Sequence, residues 1–118
     1  MTFEVPAPQN WFKINFDGSS LGNSGRAGGG GLIRDSNGLW VRGYAIAIGT
    51  TSSVAAELWA LRDGIRLCIS LNLLVVEFEF DAKLVVDLLS QANDPSSDND
   101  AILADCRERL KHIPLVKI

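Results

Sequence analysis

Bases are in short supply in this chain of 118 residues: 11 lysines and arginines stand against 14 aspartates and glutamates, a net charge of −3. That balance excludes a protein that grips nucleic acid by bulk positive charge. Any phosphate chemistry must bring in its own cations. Cysteine is also scarce. Cys68 and Cys106 are too few for a multi-bridge scaffold, and both fall within apolar helical patterns. They read as reduced core residues of an intracellular protein, nuclear or cytoplasmic. No apolar run approaches the roughly 18 residues of a membrane span, so no membrane partner is expected. The opening Met1-Thr2-Phe3-Glu4-Val5-Pro6 has neither the basic start nor the apolar core of a signal peptide. Apolar residues, by contrast, are plentiful. At 47% hydrophobic and 21% charged the composition excludes a disordered chain. The length suits one domain with a real core.

Residues 1–9, with Pro6 and Pro8, read as a lead-in, and residues 10–118 as a single domain, expected to be monomeric. From Trp11 to Asp17, Phe12, Ile14 and Phe16 alternate with Lys13 and Asn15, a strand pattern. Gly18, Gly22, Gly25 and Gly28 to Gly31 read as a glycine-rich loop leading into Leu32-Ile33-Arg34. Asp35-Ser36-Asn37-Gly38 is a tight-turn signal, which makes Leu39 to Ile48 the returning strand of a hairpin. The period then changes. After possible caps in Thr50 to Ser53, Val54, Leu58, Leu61, Ile65 and Cys68 recur at helical spacing. Leu73 to Phe80 reads as a fourth strand and Ala82 to Gln91 as a second helix. An acidic loop follows over 93–100. Ile102, Leu103, Cys106 and Leu110 make a third helical stripe, which Pro114 stops before a fifth strand at Leu115 to Ile118. The order βββαβααβ implies an α/β domain, a mixed five-stranded sheet with helices packed on it.

Three carboxylates stand out. Asp17 sits where an alternating strand meets the glycine-rich stretch; taken alone it reads as a turn aspartate beside Gly18. Asp81 follows the fourth strand and precedes a helix, where an N-cap is the ordinary role. Glu57, near the start of the first long helix, could merely complement the helix dipole. Together they are harder to dismiss. If the first and fourth strands are parallel neighbours, Asp17 and Asp81 end at one edge of the sheet, where open α/β sheets place their ligand sites. The helix carrying Glu57 can lean over that edge. Three converging carboxylates repel one another unless cations bind, and oxygen-only ligation suits Mg²⁺ or Mn²⁺ rather than zinc. Two such ions, roughly 3.5–4 Å apart, would activate a water and stabilise a leaving oxygen at a phosphodiester.

The run Asp17-Gly18-Ser19-Ser20-Leu21-Gly22-Asn23-Ser24-Gly25, with Gly28 to Gly31 and Gly38 behind it, resembles the opening of a ribonuclease H domain. Ala55-Ala56-Glu57-Leu58-Trp59-Ala60-Leu61 resembles that family's second motif. The stretch from Glu77 to Asp87 resembles its third, in the version of plant reverse-transcriptase-like proteins of retroelement type. The motifs keep their order, with spacings of 40 and 24 residues between Asp17, Glu57 and Asp81. The resemblance implies the ribonuclease H-like fold and makes Asp17, Glu57 and Asp81 the catalytic, metal-binding carboxylates. The ions would be Mg²⁺ or Mn²⁺, two of them, and the activity cleavage of the RNA strand of RNA–DNA hybrids to 5′-phosphate and 3′-hydroxyl ends. It places Ser19, Ser20, Gly22 and Asn23 against the nucleic acid, where close backbone approach allows a 2′-hydroxyl to be read.

The sequence departs from the family pattern in two places. The pattern continues into a loop histidine and a helix with a fourth carboxylate, neither of which is matched up to Ile118; His112 precedes the fifth strand and reads as a solvent-facing residue near a helix end. The stretch 94–100 is acidic where some bacterial members carry a basic protrusion, and phosphate contacts dominate nucleic-acid affinity. The competing reading is therefore a catalytically impaired binding module or retroelement remnant on the same fold. Glu77 and Glu79, alternating with Phe78 and Phe80, read as the ordinary polar side of a strand. Asp87 reads as a solvated charge. Trp11, Trp40 and Trp59 read as packing residues rather than platforms for bases.

Overall fold

The structure, a computed structural model, describes residues 10–21, 25–79 and 99–117. Its elements are β1 (Phe12–Ser20), β2 (Gly25–Arg34), β3 (Trp40–Thr51), α1 (Ser53–Ser70), β4 (Val75–Glu79), α2 (Asn99–Leu110) and β5 (Leu115–Lys117). The strands form one sheet in the order β3-β2-β1-β4-β5. β1, β2 and β3 pair antiparallel, whereas β4 pairs parallel to β1 and β5 parallel to β4. The expected mixed sheet is therefore present. The helix expected over Ala82 to Gln91 lies outside the described residues, and α2 begins at Asn99, inside the stretch read as an acidic loop.

One expectation fails. From Gly25 onward the glycine-rich stretch is not a loop: Gly28 to Gly31 are strand residues, paired with Ser19, Gly18, Asp17 and Phe16 of β1. β1 accordingly runs past Asp17 to Ser20. Glycine is normally depleted in strands, so a tertiary reason is needed. At Gly31 a methyl group would lie 2.6 Å from the Asn15 carbonyl oxygen and 2.7 Å from the Tyr44 ring. Close packing, rather than loop flexibility, selects glycine there.

The turn between β2 and β3 follows its sequence signal. Asp35 Oδ1 accepts hydrogen bonds from the amides of Asn37 and Leu39, both at 2.9 Å, and Gly38 takes a φ of 78°. At the start of α1, Ser52 caps the helix by accepting from the Ala55 amide at 3.2 Å. The other end closes on Asn72, whose φ of 57° is the left-handed conformation that terminates helices; Leu73 N–H reaches back to the Cys68 carbonyl.

All five apolar positions anticipated along α1 (Val54, Leu58, Leu61, Ile65 and Cys68) are buried. They pack on Ile14, Ile33, Val76 and Phe78 of the three central strands, and Ile102, Cys106 and Ile113 close the core. Both cysteines are free and buried. Burial pushes the Cys68 thiol up to about 12 and the Cys106 thiol up to about 11. Trp59 packs against the core, but Trp40 is 64% exposed, contrary to its expected packing role. It lies at the start of edge strand β3, on the sheet face away from α1. No helix among the described residues is long and apolar enough to cross a membrane.

Candidate active site

Strand alternation divides β1 into two sets of side chains. Ile14 and Gly18 face α1: methyl groups at Gly64 and Gly18 would meet Ile14 Cδ1 and the Ala56–Glu57 backbone respectively. Lys13, Asn15, Asp17 and Ser19 therefore share the opposite face. Asp17 and Ser19 are exposed at the carboxyl end of that face. Asp17 is a strand residue, so the reading of it as a turn aspartate does not hold. The sheet fixes its position.

Gly18 is what lets α1 approach. A Cβ there would lie 2.6 Å from the Glu57 amide nitrogen, and it would also collide with the Ala56 carbonyl. The first turns of α1 thus rest directly on the strand residue next to Asp17. A hydroxyl pair reinforces the junction, with Ser20 Oγ 3.0 Å from Ser53 Oγ. Ser20, expected against substrate, is in this way engaged in joining β1 to α1, whereas Ser19 stays exposed.

Glu57 is the fifth residue of α1, beyond the first turn, which contains no acidic residue. The helix-dipole role therefore does not account for it. It is only 4% exposed, between Ala56 and Leu58, both fully buried. A buried carboxylate is costly unless it meets a cation or donors, so its place beside the Asp17–Gly18 pair is chemically pointed. Asp81 lies outside the described residues, as do Gly22 and Asn23. Among the described residues no three His, Cys, Asp or Glu side chains gather into a metal-binding group.

What the structure does describe is the parallel register that leads to this edge. Phe12, Lys13, Ile14 and Asn15 pair with Val76, Glu77, Phe78 and Glu79, a constant offset of 64 residues. Glu79 is more than the ordinary polar side of a strand. Its Oε2 lies 3.2 Å from Lys13 Nζ and also accepts a hydrogen bond from Asn15 Nδ2. The sequence signal was available: Lys13 and Asn15 alternate onto the Asp17 face, and Glu79 stands two residues before Asp81. It gains meaning only once β1 and β4 are known to be neighbours.

A second polar cluster joins α1 to α2. Arg62 lies over the Trp59 ring, 4.9 Å from its centre, and pairs with Asp105 at 2.6 Å. Arg109 donates to the same Asp105 oxygen at 3.1 Å. The hydrogen bond from Arg109, with the two guanidinium charges, holds the Asp105 carboxyl below the usual range. Trp59, Arg62 and Asp105 line a cleft of about 400 Å³ together with Thr51, Ala55 and Ile102.

Comparison with known proteins agrees with this architecture. The family model described as reverse transcriptase-like matches residues 15–118. A protein of Arabidopsis thaliana whose name places it provisionally with ribonuclease H is 34% identical over 108 residues, 92% of this chain. This chain spans only 17% of that relative's length. Ribonuclease H1 of the halophilic archaeon Halobacterium salinarum superposes with a TM-score of 0.80 at 28% identity, covering 92% of this chain and 83% of that one. LC11 ribonuclease H1, isolated from compost by a metagenomic approach and solved with an RNA/DNA hybrid, superposes with a TM-score of 0.72 at 25% identity, covering 90% and 81%.

Proposed function

The chain belongs to the reverse transcriptase-like family and has the ribonuclease H-like fold, and we propose from that premise that it is a divalent-metal-dependent endoribonuclease. Its substrate is the RNA strand of RNA–DNA hybrids, cut to 5′-phosphate and 3′-hydroxyl ends by a monomer. The observation that carries this reading is the parallel register of β1 and β4. Every pair in it joins residues 64 apart, and 64 is also the separation of Asp17 and Asp81 in the sequence. The hybrid-bound structure of LC11 ribonuclease H1 supports the substrate class.

Asp17, Glu57 and Asp81 would hold the metal. The donor set fits, since carboxylate oxygens suit small hard cations. When bound, two Mg²⁺ or Mn²⁺ ions would supply an activated water and stabilisation of the leaving oxygen. The chain contributes position and environment. Asp17 is held by the sheet yet exposed, so a phosphodiester can reach it. Glu57 is shielded from water, where charge interactions are stronger than in solvent. Gly18 keeps the two close by admitting the α1 backbone. Exposed Ser19 offers a hydroxyl beside Asp17, and by the family resemblance Gly22 and Asn23 would also contact the nucleic acid, where a 2′-hydroxyl can be read. With a net charge of −3, recognition rests on such contacts and on the metal rather than on a basic surface.

The test is cleavage of a labelled RNA–DNA hybrid in Mg²⁺, set beside RNA–RNA and DNA–DNA duplexes of the same sequence. The expected result is hybrid-specific cutting that EDTA abolishes and that leaves ends ligatable through a 5′-phosphate. Hybrid bound without metal-dependent cutting would identify an impaired binding module instead.

A further inference from the structure

We propose that Lys13, Asn15 and Glu79 form a clamp that positions the two strand ends leading to Asp17 and Asp81, with Glu79 as its central positioning residue; the inference rests on the function proposed above. The Lys13 side chain is only 7% exposed, and an ammonium in that setting requires a partner. Glu79 Oε2 provides it at 3.2 Å. The same oxygen accepts from Asn15 Nδ2. Lys13 and Asn15 are consecutive on one strand face, and Glu79 stands directly across from Asn15. A single carboxylate oxygen therefore ties two neighbouring residues on one face of β1, Lys13 and Asn15, to the last described residue of β4.

The placement gives the clamp its purpose. Asp17 is the next residue on the same face of β1, about 6–7 Å further along the strand. β4 ends as a described strand at Glu79, two residues before Asp81. A pair of parallel strands with no tie at this level could splay or slip, and a slip of one residue would turn every side chain to the other face. Two donors converging on one oxygen resist both movements. Lys13 also brings a positive charge to a sheet edge otherwise rich in carboxylates and satisfies a glutamate that would otherwise compete for a cation. Neither role involves contact with substrate.

The experiment compares the wild-type chain with Asn15→Ala and with the double variant Lys13→Met/Glu79→Leu. Asn15→Ala keeps the ion pair. The double variant removes both charges together and so leaves no buried ammonium unpaired. Mg²⁺ affinity by calorimetry, kcat and KM on the hybrid, thermal midpoint, and exchange of the Phe16 and Asp17 amides are measured for each. The expected result is a roughly 10- to 100-fold loss in Mg²⁺ affinity and kcat, the usual size of an indirect effect on a metal site, with KM and the midpoint little changed. Faster exchange at Phe16 and Asp17 is expected in both variants. A folded variant that binds Mg²⁺ and turns over like the wild type would overturn the positioning role. If the wild type neither binds Mg²⁺ nor cuts the hybrid, the proposed function fails on its own account. Amide exchange then still judges the clamp, which unchanged rates at Phe16 and Asp17 would refute.

Discussion

The sheet turns one side toward α1 and the other away from it, and the same strands supply both. Toward α1, Ile14, Ile33, Val76 and Phe78 are at most 2% exposed and touch a helix stripe of matching character. Away from it, the alternate residues are Lys13, Asn15, Asp17, Glu77 and Glu79, with Leu32 and Trp40 at 38% and 64% exposure. Burial of apolar area explains the first side with no further assumption. It does not explain the second, where an ammonium is buried, a carboxylate is bound on two sides, and an exposed aspartate stands at a strand end. Groups arranged at a cost to stability, at the carboxyl edge of a parallel strand pair, are what a site for chemistry requires. Glu57 stands between the two: it is a carboxylate buried on the helix that packs on the apolar side, and its backbone rests against the strand residue next to Asp17 because Gly18 has no side chain.

Three measurements would break or sharpen that contrast. The largest effect should come from the apolar side. Phe78→Ala is expected to cost about 3–5 kcal/mol of stability by denaturant unfolding; a loss below ~1 kcal/mol would mean that the α1 side does not carry the fold. Asp17→Asn should do the reverse, leaving the denaturant midpoint unchanged while reducing hybrid cleavage by roughly 10²–10³-fold, the scale seen when one transition-state-stabilising group is lost. A matching loss of stability would place Asp17 with the core rather than the site. The smallest effect concerns the thiols. Folding raises both above the ordinary value of 9.0, to about 12 for Cys68 and about 11 for Cys106. Above pH 9 the unfolded chain therefore releases protons that the folded chain retains, and stability should fall as pH rises from 9 toward 11. Cys68→Ala/Cys106→Ala should flatten that slope. An unchanged slope would show that the thiols are not protected by this core.

Much of this was legible in the residues. The apolar stripe of α1 and its cap region were readable from periodicity, because a helix on a sheet must bury one face whatever surrounds it. The Asp35–Gly38 turn was readable because its side-chain and backbone chemistry is local. The glycine run was not. Glycine signals a loop in isolation, and only the proximity of Tyr44, Asn15 and α1 turns Gly28 to Gly31 into a strand. Trp40 was misread for a similar reason: an aromatic residue on a strand carries no mark of whether that strand is an edge. Glu79 looked like any polar residue alternating with phenylalanines. Its partners lie 64 and 66 positions away in sequence.

The sequence by itself therefore determined which residues could bear the chemistry, in what order, and on which kinds of element. Acid–glycine pairs, helix periods and strand alternation are local, and local rules suffice to read them. The tertiary structure alone decided which of those residues meet. It put β1 and β4 in parallel register, laid α1 on Gly18, and joined Lys13 and Asn15 to Glu79. Those contacts are between segments far apart in the chain, so they are fixed by how the layers pack and not by any property of the segments alone.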